Sequence, residues 1–105
     1  MVGNTTVQYL QEYVKAKDFR PELKKDYFLK LSEEVGELAK AIREDLTRVE
    51  TGTVQSAIAE ELWDVIYYAV ALANCYGIDL EKTIAEKEEL NRIKYGQETR
   101  FETGR

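Results

Sequence analysis

Nine consecutive residues, Val65-Ile66-Tyr67-Tyr68-Ala69-Val70-Ala71-Leu72-Ala73, are apolar around nearly the full circumference of any helix they form. A helix of that kind is normally buried on every side. The run is far short of the roughly 20 residues that span a bilayer, so protein has to cover it. A chain of 105 residues has a single-domain length. It buries only about 60–70% of its unfolded surface, so its core is modest. One small subunit therefore covers part of this segment, and the remainder is expected to pack against another copy, because large exposed apolar patches are uncommon on soluble monomers. The alternative is a monomer with an open patch containing Tyr67 or Val70.

Strand-type alternation is absent and proline occurs once, at Pro21, so the chain reads as all-α, a four-helix bundle-like subunit forming one domain over residues 1–105. The first helix opens at Thr5, where Thr5-Thr6-Val7-Gln8 fits a capping box, and carries Val7, Leu10 and Val14 on one face to about Lys17. After Pro21 the second runs from about Glu22 to Leu46, with Phe28, Leu31, Val35, Leu38 and Ile42 at helical spacing. Thr51-Gly52-Thr53 marks a turn, and Thr53 suits the N-cap of a third helix over about Val54 to Tyr76. Gly77 is placed to end that helix in a left-handed cap. Asp79 can cap the fourth, which stops near Tyr95 and Gly96, and the polar tail from Gln97 to Arg105 is expected to be mobile.

Composition narrows the function. Fifteen basic against twenty acidic residues give a net charge of −5, which argues against a phosphate-backbone binder of nucleic acid. The single cysteine, Cys75, cannot form an intrachain disulfide and suits a reduced cytoplasmic protein. The N-terminus lacks a signal-peptide pattern. No membrane partner is expected.

Two acidic clusters stand out, Glu33-Glu34-Val35-Gly36-Glu37 and Glu61-Leu62-Trp63-Asp64. Each holds acids at i and i+3, about 60° apart around a helix and roughly 5–6 Å apart at Cβ. Like charges so placed destabilise a helix unless something positive lies between them. Lys30 and Lys40 can serve Glu34 and Glu37, but no Lys or Arg occurs between Arg48 and Lys82 to serve Glu61 and Asp64. Glu34 lies at the edge of the stripe centred near Val35 and Ile42. Glu61 and Asp64 hold the same offsets from Ile58, Val65, Ala69 and Leu72. Edge positions of neighbouring helices can converge on a shared site. The spacing leaves a metal site and a solvated acidic face both open.

Histidine is absent. That excludes Glu-x-x-His di-iron bundles, His-based zinc sites and Ser-His-Asp or Cys-His nucleophile arrangements. All-oxygen ligation leaves Mg²⁺, Mn²⁺ or Ca²⁺, and Mg²⁺ commonly comes with phosphates. Toward the end of the fourth helix, Lys87, Asn91, Arg92 and Lys94 can then hold phosphate oxygens, or simply compensate the helix dipole. Phe19, Trp63, Tyr67 and Tyr68 are aromatics that can stack on a base, or pack in a core or interface.

These residues resemble the MazG-type nucleotide pyrophosphohydrolase family. The resemblance lies in Glu33-Glu34-x-x-Glu37 followed by Glu61-x-x-Asp64. It extends to Tyr76-Gly77-Ile78-Asp79-Leu80-Glu81 and to Lys87-x-x-x-Asn91-x-x-Lys94-Tyr95, covering about residues 25 to 96. Trp63 departs from the small residue often found there. The resemblance implies an all-α, Mg²⁺-dependent homo-oligomeric enzyme, dimer or tetramer, that hydrolyses nucleoside triphosphates to monophosphates and pyrophosphate. It implies Glu34, Glu37, Glu61 and Asp64 as metal ligands and Glu33 as general base. Lys87, Asn91, Lys94, Tyr68 and Trp63 are the expected substrate contacts. The rival is a non-catalytic helical oligomerisation or nucleotide-binding module that keeps the acids as a solvated face.

Overall fold

The computed structural model describes residues 4–47 and 52–102, of which 46, 47 and 52–56 by backbone alone. Every element among the described residues is helical: α1 (Val7–Lys17), a 3₁₀ turn (Pro21–Leu23), α2 (Lys24–Thr47), α3 (Gly52–Cys75) and α4 (Leu80–Tyr95). No helix there is long and apolar enough to cross a membrane. The cap of α1 is Thr6 rather than the expected Thr5, its hydroxyl accepting from Tyr9 N at 3.0 Å. The capping box does not form. Gln8 reaches Glu12 (3.1 Å) instead, and its own N–H is taken by Glu81 of α4 at 2.8 Å. A charged acceptor from another helix replaces the neutral local one. The turn expected at Thr51 lies outside the described residues, and α3 has begun by Gly52, so Thr53 is inside the helix.

Helices α3 and α4 both end in the left-handed motif that their glycines predict. Gly77 and Gly96 have φ of 65° and 62°. Behind Gly77, Ile78 N donates to Ala73 O (3.0 Å) and Gly77 N to Asn74 O (3.1 Å). Behind Gly96, Gln97 N donates to Arg92 O (3.0 Å). These are the two crossing bonds of a Schellman cap. Asp79 caps α4 through Lys82 N as expected.

Helices α2 and α3 form an antiparallel pair: Glu34 meets Glu61 and Asp64, while Phe28, earlier on α2, shares a recess with Leu72 and Tyr76, later on α3. Helix α1 packs on α3, and Gln11 locks three elements together. Its amide donates to Asn74 Oδ1 and Ile78 O, while its Oε1 accepts from Leu80 N at 2.9 Å. The core is small, built around Val14, Tyr27, Val70 and Ala71. On α2 the side turned inward is Tyr27, Leu31, Glu34, Leu38 and Ala41, not the expected centre at Val35 and Ile42, which are 49% and 45% exposed. The sequence stripe is wider than the strip α3 covers, so half of it faces outward. On α3 the expected open patch also moves. Val70 is buried and Tyr67 half-buried, whereas Leu62, Ile66 and Ala69, at i, i+4 and i+7, are exposed.

Candidate functional site

Antiparallel pairing of α2 and α3 sets Glu34 opposite Glu61 and Asp64. One carboxylate oxygen from each of the three lies within 4.8 Å of the others, and all three residues are half-buried. Oε2 of Glu61 is shut off from solvent without a hydrogen-bond donor. The carboxyl of Glu61 is held above its ordinary range, first by the hydrogen bond it shares with Glu34, then by burial. The charges of Glu34, Asp64 and Glu37 push it further the same way. Placing an acceptor-only oxygen where neither water nor a donor reaches it is unfavourable. The arrangement becomes favourable when a cation takes the place of the missing donors. Hard divalent ions suit such an all-oxygen set.

Glu37 is exposed and lies outside this trio of converging oxygens, though close enough for its charge to bear on Glu61. Glu33 points to a different partner. It pairs with Lys30 at 3.3 Å. Lys30 therefore pairs directly with Glu33, while Glu34, the partner its i−4 spacing suggests, acts on it only through its charge. Lys30 also stands 5.9 Å from the ring of Tyr68. Tyr68 and Trp63 both meet Tyr67 edge-on, at 5.1 and 6.0 Å, making an aromatic ladder along α3.

A neighbouring open recess of about 420 Å³ is lined by Lys17, Asp18, Arg20, Asp26, Tyr27, Lys30 and Tyr67 among others. Lys17 covers the Tyr67 ring at 5.2 Å, and Tyr27 donates to Asp18 at 2.6 Å. Burial, and then that hydrogen bond to a carboxylate, push the Tyr27 hydroxyl up to about 12. Apart from Lys30 and Tyr67, the sequence offers little sign of this recess. It arises where Pro21 turns the chain between α1 and α2, and only the fold brings Asp18 beside Tyr27.

The expected phosphate contacts lie on α4, which packs chiefly on α1, whereas the acids lie on α2 and α3. Lys87 is exposed, Asn91 half-buried and Lys94 is over its neighbour Tyr95 at 5.3 Å. Arg92 is held by Glu89 in a two-point ion pair. Phe19 sits under Lys15 at 4.8 Å, outside the acid cluster.

Residues 23–91 match the model of the MazG nucleotide pyrophosphohydrolase domain. Among solved structures, Ntag-iMazG from Vibrio DAT 722 is 46% identical, with a TM-score of 0.74 over 87% of this chain and 98% of that one. Ctag-iMazG from the same source is 45% identical, with a TM-score of 0.72 over 84% and 99%. No curated protein sequence matches. Family model, identity and backbone agree, and the chain belongs to the MazG nucleotide pyrophosphohydrolase family.

Proposed function

We propose that this chain is a Mg²⁺-dependent nucleoside triphosphate pyrophosphohydrolase, converting NTP or dNTP and water to the monophosphate and pyrophosphate. A house-cleaning role in the cytoplasmic nucleotide pool fits that activity. The observation that carries the reading is the orphaned, solvent-shielded oxygen of Glu61 between Glu34 and Asp64. Those three residues would hold the ion, with Glu37 joining from the rim. Bound there, Mg²⁺ (or Mn²⁺ in its place) supplies charge neutralisation for the polyphosphate and polarisation of the attacking water. Glu33, adjacent to the ligands and not one of the converging trio, takes the proton from that water. Tyr68 and Trp63 offer ring faces to the base.

In this reading Lys87, Asn91 and Lys94 bind phosphate oxygens from a second subunit, and the openness of the single chain supports a partner. Its accessible surface is 8314 Å², against about 6000 Å² for a compact monomer of this mass. Its radius of gyration is 16.5 Å, against about 13 Å for a compact domain of this length. A homo-oligomer, dimer or tetramer, accounts for both. Pyrophosphate release from nucleoside triphosphates should depend on Mg²⁺ or Mn²⁺ and vanish in excess EDTA. Undiminished release in EDTA would sink the metal assignment. Tight Mg²⁺ and nucleotide binding with no release would make the protein a non-catalytic module.

A further inference from the structure

We propose that Lys30 is a polyphosphate-binding residue of this chain, a cation that exchanges its ion pair with Glu33 for a phosphate oxygen when a nucleoside triphosphate binds. This deepens the reading as a triphosphate hydrolase and rests on it. Three observations converge on Lys30. It lies one helical turn before Glu34, and the charge of Glu34 as well as that of Glu33 bears on its ammonium. It lines the recess of about 420 Å³, so a side chain one helical turn from Glu34 also borders a cavity able to hold part of a nucleotide. Its partner in the free protein is a single exposed ion pair at 3.3 Å, with half of the Lys30 side chain and 65% of the Glu33 side chain open to solvent.

An exposed pair of that kind is weak. A polyphosphate carries several negative charges and is a far stronger partner for an ammonium than one solvated carboxylate. The ring of Tyr68, 5.9 Å away, favours a cation at this position whichever anion it pairs with. Replacement of Glu33 by phosphate costs Lys30 little and frees the Glu33 carboxylate from its ion pair. Lys30 comes from the same subunit as Glu34, Glu61 and Asp64, so its contact requires no second copy.

The test compares wild type, Lys30→Met and Lys30→Arg by calorimetric titration. The probes are Mg²⁺ alone, the α,β-imido analogues of dATP, dCTP, dGTP and dTTP with Mg²⁺, and the matching monophosphates. Lys30→Met should keep its Mg²⁺ affinity within about twofold and weaken the triphosphate analogues by about tenfold or more. Monophosphates should weaken by less than about threefold, and Lys30→Arg should recover most of the loss. A residue that merely supports the fold would weaken mono- and triphosphates alike, and that result would overturn the proposal. So would triphosphate binding by Lys30→Met equal to wild type, which leaves the hydrolase reading intact. Wild-type protein that binds none of the triphosphate analogues would overturn both.

Discussion

Glu61 is the residue on which most of the candidate chemistry turns. Its carboxyl shares a hydrogen bond with Glu34 and sits under the negative charges of Glu34, Asp64 and Glu37. Glu61→Gln supplies an amide donor where a proton is otherwise required. It should raise the melting temperature in EDTA, abolish the further rise that Mg²⁺ gives wild type, and abolish turnover. Glu33→Gln should instead keep Mg²⁺ affinity close to wild type and lower kcat by about a hundredfold or more. Equal loss of Mg²⁺ binding in the two variants would make Glu33 a ligand. Tyr27 gives a separate prediction in pH. Its folded value of about 12 lies above the ordinary 10.0, so the folded state disfavours the phenolate. The stability it contributes is whole below pH 10 and is lost as pH rises through about 12. Tyr27→Phe should cost about 1–2 kcal/mol at neutral pH by removing the bond to Asp18. Urea melts at about pH 8 and about pH 11 should then show a smaller fall for the variant than for wild type.

At the scale of elements, the α3–α4 corner is held by local backbone rules plus one side chain from afar. Gly77 at φ 65° accepts a conformation that costs an L-residue about 1–2 kcal/mol. A Cβ there meets nothing within 4 Å, so the penalty is conformational rather than steric crowding by neighbours. Gly77→Ala should lower unfolding free energy by about that amount in denaturant titration. A neutral result would mean the corner relaxes to another cap. Gln11 binds the same corner to α1 through Asn74, Ile78 and Leu80. That is why α1, which lies wholly before the family match at residues 23–91, still belongs to the folded unit.

At the scale of the whole molecule, the open architecture is the physical argument for assembly. Leu62, Trp63 and Ile66 on α3 and Val35 and Ile42 on α2 are each between 39% and 49% exposed, far more than a core helix pair of a finished globule leaves open. Burying several hundred Å² of such surface contributes about 25 cal/mol per Å² before association entropy is subtracted. Light scattering at micromolar concentration should give at least twice the 12.1 kDa chain mass, and Ile66→Glu should shift the protein toward monomer. Wild type that is monomeric and fully active would refute both the interface and any site shared between subunits.

Much of this molecule is legible one residue at a time. Helix-ending glycines at 77 and 96, the Asp79 cap, the absence of strands among the described residues and the two i,i+3 acid pairs follow from local conformational preference and periodicity, which need no partner to be read. Local rules fail where two local solutions compete. Thr5 and Thr6 are equally good caps, and Glu81 from α4 decides between them by taking the Gln8 N–H. Periodicity also fails to say which part of a broad apolar stripe is covered. Only the packing of α2 on α3 turns Glu34 inward and leaves Val35 outside. The same packing separates Glu34, Glu61 and Asp64, which converge, from Glu33, which Lys30 holds, and Glu37, which stays at the rim. Sequence spacing determines which acids share a helix face. Which of them share a site depends on the distance between two helices, and that distance exists only in the folded chain.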